Sequence, residues 1–451
     1  MKKTLIAVAA AAALTTSAFA EITFGTWMRV VAAPVASDGD ENYTGITNSW
    51  GGGARTARLD VNGVSEDGKA GFCVQFFGDP WSGSYSTGEQ GFLWVKPIDQ
   101  IKVSMGDFDH NALRGDMCYG SWNWIRPSNW LQDDEGLTFD GQGGKGLLAE
   151  VTPIDNLYAY AFVPLSTDFS VTAEDTYKSI NVAAAYTIDG IGKIKAGFFG
   201  GYDKNEAKAV KNTYGWANKS VTKDGKTTYS CDANVSETKT EAEAEAKTKD
   251  GVTTKTFKPE WKLLSEGKEA VKKSEKIGDF EAAFDLTAVE NLYVTAGFKY
   301  RLADKEYWAA KASEKDAKAR DNYNMKVALG ASYQVADNVK VSASGAVFMY
   351  DIEDVDVDPK FQLGAGVDVG VADGLNLTAD VRYISETKVE DEGLEDDAVS
   401  FLIGITKNVS SNGYLGVGFQ GSTNGNGFLG SRLQYEDKFA WAIPVALSVW
   451  F

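Results

Sequence analysis

Charged and polar side chains recur at every second position in short segments whose intervening residues are apolar. Lys340, Ser342 and Ser344 alternate with Val339, Val341, Ala343, Gly345 and Val347. Asn376, Thr378, Asp380 and Arg382 alternate with Leu375, Leu377, Ala379, Val381 and Tyr383, and Asn324, Lys326, Ser332 and Gln334 with Met325, Val327, Leu329, Ala331 and Tyr333. A period of two belongs to strands and cannot arise from a helix. Read at alternate positions, the polar face also carries Arg29, Arg58, Lys102, Lys195, Lys299, Arg301 and Lys360, against fewer acids: Asp60, Glu281, Asp285, Asp368 and Asp380. The chemistry open to such rows is electrostatic. Fixed charges on a wet face between low-dielectric walls act on passing ions, and this balance predicts a weak anion preference that acidic loops could reverse at low salt.

Catalytic chemistry has little support. His110 is the one histidine, which excludes a multi-histidine metal centre; beside Asp107 and Asp109 it reads as a loop residue. No serine, histidine and carboxylate set stands out, so neither an enzyme nor a cofactor is expected. Gly141-Gln142-Gly143-Gly144-Lys145-Gly146 lacks the spacing and the Ser/Thr of a phosphate loop, and glycine flexibility or a strand bulge explains it better. Asp38-Gly39-Asp40-Glu41-Asn42 lacks the glycine and distal glutamate of a calcium loop.

The strands that must position the charged rows are clearest at the C-terminus. Phe439, Trp441, Ile443, Val445, Leu447, Val449 and Phe451 form one wholly apolar face with no helix to cover it, which suits lipid. At the other end, Lys2 and Lys3 precede an apolar run from Leu5 to Leu14 and the small residues Ala18 and Ala20, predicting a signal peptide over 1–20 and a mature chain from Glu21. The 451 residues include 47 Gly and only 9 Pro, and 12% are aromatic, as suits many strands in one closed sheet. Mean hydropathy is −0.25. That value excludes a helical membrane protein but not a barrel, half of whose strand residues face water. A net charge of −18 argues against nucleic acid. Cys73, Cys118 and Cys231 cannot all pair within one chain, and whether Cys73 and Cys118 do is open.

Eight short turns recur: Ser65–Gly68, Pro97–Gln100, Pro153–Asn156, Asp189–Gly190, Val289–Asn291, Ala336–Asn338, Ala372–Gly374 and Ser411–Gly413. Their Asp-Gly, Asp-Asn and Asn-Gly pairs tolerate the positive φ of tight reversals. Longer charged connections lie between them, the asymmetry of an outer-membrane barrel with periplasmic turns and extracellular loops. With the first and last strands the count is eighteen, or sixteen if one turn is misread. Soluble β-sandwich strands alternate as well; the leader, the hairpin repeat and the aromatic terminus together favour the barrel.

On those residues the chain resembles a Gram-negative type outer-membrane porin, general or carbohydrate-selective. The resemblance implies an all-β transmembrane antiparallel barrel reached through Sec export, resting in outer-membrane lipid and lipopolysaccharide. It implies that Trp441, Leu447, Val449 and Phe451 form the signal read by the barrel assembly machinery, that a homotrimer is possible, and that the function is passive diffusion of small hydrophilic solutes. It further implies that the third loop, about Phe108 to Gly136, narrows the pore. That loop carries Arg114, Tyr119, Trp122, Trp124, Arg126 and Trp130, whose rings could stack on sugars; packing on the barrel wall or in the interfacial girdle is the simpler reading. Residues 203–277, rich in Lys, Glu and Thr, read as a partly helical or mobile extracellular insertion. An adhesin or structural surface barrel using that insertion is the alternative function.

Overall fold

In the computed structural model the described residues are 20–47, 55–79, 82–114, 137–166, 169, 171–207, 213–223, 226–235, 244–249, 252–265, 271–304, 323–349, 359–385, 397–423 and 438–451. The expected leader, with Cys118, Tyr119, Trp122, Trp124, Arg126 and Trp130, lies outside them. The strands are β1 (Ala20–Ser37), β2 (Asn42–Thr47), β3 (Arg55–Ser65), β4 (Ala70–Asp79), β5 (Ser84–Ile98), β6 (Ile101–His110), β7 (Gln142–Ile154), β8 (Leu157–Pro164), β9 (Asn181–Ile188), β10 (Gly192–Ala207), β11 (Thr213–Lys223), β12 (Lys226–Val235), β13 (Ala244–Lys249), β14 (Val252–Ser265), β15 (Val271–Leu286), β16 (Leu292–Ala303), β17 (Met325–Ala336), β18 (Val339–Met349), β19 (Lys360–Ala372), β20 (Leu375–Ile384), β21 (Ala398–Ser410), β22 (Gly413–Ser422) and β23 (Ala440–Trp450).

With β2 and β3 counted as one interrupted strand, eighteen antiparallel strands run from β1 through β3–β10 to β15–β23 and close on themselves. Neighbours are sequence-adjacent hairpins except at the β1–β23 seam and where β10 meets β15 across the 203–275 unit, through Thr287 N–H to Ile191 O at 2.9 Å. All eight expected turns fall where strands reverse. Gly68, Asn156, Gly190, Asn291 and Gly374 take φ of 62° to 73° there, the left-handed conformation that Gly and Asn tolerate best.

The seam between β1 and β23 pairs Trp27 with Trp450 and Ser37 with Trp441. Phe451 completes it: its N–H donates to Thr26 O at 2.7 Å and its carbonyl accepts from Thr26 N at 2.9 Å. Pro444 has no N–H to offer β1, and β1 shifts register opposite it, between Ala32 and Val35. Leu93, Met105, Leu329, Leu363, Ile403 and Leu447 are exposed on the outward face. Alternate residues turn inward, where three apolar clusters form around Val31 and Ala442, around Phe108 and Phe162, and around Tyr323 and Phe348.

Residues 203–275 form a second compact unit. The expectation over 203–277 is a partly helical or mobile insertion; the described residues there instead form a four-stranded antiparallel sheet in the order β12, β11, β14, β13. The pairing of β11 with β14 joins segments about thirty residues apart, which composition does not report. A short helix, α1 (Ala173–Lys178), was also not foreseen. Thr172 caps it, its Oγ1 accepting from Asp175 N at 3.1 Å, and the Thr-x-x-Asp spacing was the available signal.

After β1 the chain turns on Asp38, whose carboxylate accepts from Glu41 N at 2.8 Å, Tyr43 Oη at 2.6 Å and Asp40 N at 2.9 Å. The backbone bond from Glu41 foremost, then those from Tyr43 and Asp40, lower its pKa to about 2. An unfolded Asp titrates near 3.9, so this stabilisation is complete at neutral pH and is lost as pH falls toward 2. Asp38→Ala is expected to lower the guanidinium midpoint at pH 7, with the deficit shrinking as pH drops below 4; a pH-independent deficit would remove the carboxylate from the account.

Candidate pore wall and its loop

The third loop turns into the barrel at both described ends. β6 extends to His110, so the loop begins at Asn111, later than expected, and Leu113 is buried against the inner wall with Phe108, Leu148, Tyr160 and Phe162. The returning limb, Leu137 to Gly141, lies along the inner faces of β10 and β15–β18. Leu137 packs with Tyr323, Ala328, Ala346 and Phe348. Phe139 is fully buried, its ring 5.7 Å from Phe199. Close approach needs missing side chains: a Cβ on Gly297 would stand 2.1 Å from Thr138 O.

Buried polar contacts fasten this limb. Thr138 Oγ1 meets Thr295 Oγ1 at 2.9 Å, Thr295 donates to Asp285 at 2.8 Å, and Asp285 pairs with Lys195 at 2.6 Å. Asp140 N–H donates to Glu281 Oε2 at 2.8 Å. Lys299 is the hub, bonded to Asp140, to Glu281 at 2.8 Å and to Asp279 at 3.5 Å. Asp279 also takes Arg301 at 3.0 Å and Lys276 at 3.5 Å, and Arg301 lies 5.0 Å over the Tyr323 ring. In a low-dielectric setting such charges persist only when paired and hydrogen-bonded.

A second hub is Glu150 on β7. Its carboxylate takes Lys102 at 2.8 Å, Tyr158 Oη at 2.8 Å and His110 Nε2 at 3.2 Å. His110 is therefore not a loop residue. It ends β6 opposite Gln142, its ring edge-on to Tyr160 at 5.1 Å. Above Lys102, the Trp94 ring has Lys96 at 5.6 Å and Lys102 at 5.9 Å. Gly141 precedes β7, and Gln142 to Gly146 pair with β6 with no bulge, Gly144 at φ 116°.

Every residue read from alternation as inward-facing lies on the inner face, but not all meet open lumen. Lys195, Lys299 and Lys326 are 2%, 7% and 4% exposed; Lys360, Asp380 and Arg382 are also buried. Lys299 and Lys326 stand directly opposite one another under the limb. Arg29 lies 5.7 Å over Trp27, Arg58 pairs with Asp60 at 2.7 Å, and Lys340 stands opposite Asp368; these, with Lys102, remain partly accessible. Alternation had missed Glu150, Asp279 and Asp140. The first two were visible as carboxylates in register with Leu148 and Glu281; Asp140, in a loop, carried no signal. Arg114 is half-buried beside a cavity of about 360 Å³ lined by Asp109, Asn111, Asp140 and Gln142. At the C-terminus, Leu447, Val449 and Phe451 are exposed outward, and Trp441 stacks on Phe419 at 5.9 Å.

A closed antiparallel barrel with an apolar outward belt and a charged interior is the architecture of an outer-membrane β-barrel. No protein-family profile matches the sequence, and no curated protein sequence matches it. Among solved structures the chain is similar to an anion-selective porin from Comamonas acidovorans (12% identity, TM-score 0.46, covering 96% of this chain and 100% of that one). It is also similar to the outer-membrane channel DcaP of Acinetobacter baumannii (11%, 0.44, 97% and 99%) and to OmpT, an outer-membrane protein of Vibrio cholerae (11%, 0.42, 96% and 98%). Likeness at these values transfers neither residue roles nor substrate, so the geometry of this barrel must carry them.

Lys299→Met would leave Glu281, Asp140 and Asp279 without their shared cation. The expected cost is about 3 kcal/mol or more in barrel stability, read from the denaturant midpoint, with Lys299→Arg retaining most of it. Gly297→Val should displace the limb without touching a charge. Unaltered stability in both Lys299→Met and Gly297→Val would disprove the anchoring.

Proposed function

We propose that this protein is an outer-membrane porin: a water-filled channel for passive diffusion of small hydrophilic solutes. The single observation that carries the reading is the closed eighteen-strand barrel whose inner face is charged and whose third loop docks along that face. A barrel of this strand number is too wide for wall side chains to fill, which leaves an aqueous path. The docked loop narrows the path, and the accessible wall charges act on solutes within it.

Selectivity on this reading is for anions, and weak. Lys102, Lys195, Lys299 and Arg301 have carboxylate partners, so much of the inner charge is compensated locally. Arg29, Arg58, Lys102 and Lys340 are the inward cations that stay partly accessible, and on this reading they are the ones that meet the solute. Residues 1–20 act as a Sec leader, the turns are periplasmic, and the insertion at 203–277 stands outside the cell. Trp441, Leu447, Val449 and Phe451 engage the barrel assembly machinery. Lipopolysaccharide surrounds the barrel in the outer leaflet, and assembly as a homotrimer is compatible with this reading.

Planar-bilayer recording of the refolded full chain tests the function. Discrete conductance steps are expected, with a reversal potential on the anion side across a potassium chloride gradient at moderate salt. Lys340→Glu should move that potential toward cation selectivity. A folded barrel that conducts nothing would overturn the channel, and clear cation selectivity in the parent would overturn the assignment of the wall.

A further inference from the structure

The second unit contains a duplicated segment. Thr222-Lys223-Asp224-Gly225-Lys226-Thr227-Thr228 is repeated as Thr248-Lys249-Asp250-Gly251-Val252-Thr253-Thr254. The first copy joins β11 to β12 and the second joins β13 to β14, so the two reversals lie at one end of one sheet. Pairing there is regular. Thr222 stands opposite both Thr227 and Thr253, and Thr253 opposite Thr248, which makes a threonine rung across four strands.

Residues on one rung share a face, and adjacent rungs alternate. The positions next to the threonine rung, Lys226, Lys223, Val252 and Lys249, therefore share the other face. Two residues further along that face come Thr228, Val221, Thr254 and Lys247, and then Ser230, Lys219, Thr256 and Glu245. Five lysines and one acid occupy these three rungs, in a chain whose net charge is −18. Lys223 and Lys249 are exposed. Lys223 and Lys226 are directly opposed, a like-charge pairing that weakens a ladder and has no use in holding the sheet together.

We propose that this lysine face binds an anionic polysaccharide, sulfated or carboxylated, at the cell surface; the proposal rests on the outward placement of residues 203–275 in the reading above. Strands about 4.8 Å apart and same-face residues about 6.8 Å apart set the cations on a grid matching one to two sugar rings. Threonine and serine positions between them supply hydroxyl partners for sugar oxygens. Three rungs of this face hold no aromatic residue, so bases of a single-stranded nucleic acid would find nothing to stack on.

The test uses the full chain in detergent with a size-defined heparin fragment as probe, neutral dextran of similar length and single-stranded DNA as comparators, and anionic phospholipid vesicles as a further arm. Heparin should bind at low salt, weaken as salt rises, and lose roughly tenfold to hundredfold in affinity in the Lys223→Gln, Lys226→Gln, Lys249→Gln triple variant. The circular dichroism and conductance of that variant should match the parent. Absence of heparin binding, or equal binding by the triple variant, overturns the proposal. DNA or vesicles bound as tightly as heparin would overturn the polysaccharide in favour of that partner. Capture of heparin by purified protein but not by intact expressing cells would overturn the outward placement alone, and heparin binding by a chain that does not conduct would overturn the channel alone.

Discussion

Hydrocarbon offers no hydrogen-bond partner to a backbone N–H or C=O, so a chain crossing it as strands must give every strand two neighbours. The whole architecture depends on meeting that demand at the β1–β23 seam. Apart from the β10–β15 pair, local hairpins supply the other neighbours at little cost in loop closure, because each joins strands adjacent in sequence. The seam alone must bring together residues more than four hundred positions apart. It does so with backbone bonds between Thr26 and Phe451 at its lower end, and with a bulge in β1 where Pro444 has no donor to give.

Closure creates an interior whose contents are then chosen by size and charge. Apolar residues on alternate positions go outward to lipid, which leaves lysines, arginines and carboxylates inside. A chain segment returning along that wall removes water from some of them, and unpaired charges there would be costly. The Lys195, Asp285 and Thr295 chain and the Lys299 hub meet the requirement by pairing, and thereby fix where Leu137 to Gly141 can lie. Lys195, Lys299 and Lys326 are thereby buried beside the limb, while Arg29, Arg58, Lys102 and Lys340 stay partly accessible.

The 203–275 unit obeys different rules. Its four strands pair without register shifts from Lys219 to Lys223 and their partners, where a threonine rung and a lysine-bearing rung fall on opposite faces.

Turn chemistry and strand period were legible from the residues alone, because both are local: Asp-Gly or Asn at a reversal and alternation over ten residues need no knowledge of distant segments. Eighteen strands, eight turns and the inward set from Arg29 to Arg382 follow from them. His110 and the insertion were misread, since a strand's last residue and a polar sheet have no local signature that separates them from loop. Which inward lysines meet water and which lie beneath the loop was decided only by tertiary structure. Lys195 and Lys340 occupy equivalent positions in the pattern of their strands, yet one is buried and the other partly accessible. Burial is set by whatever packs against a residue from far along the chain, and for Lys195 that is the neighbourhood of Asp285, Thr295 and Thr138, which no periodicity in β10 encodes.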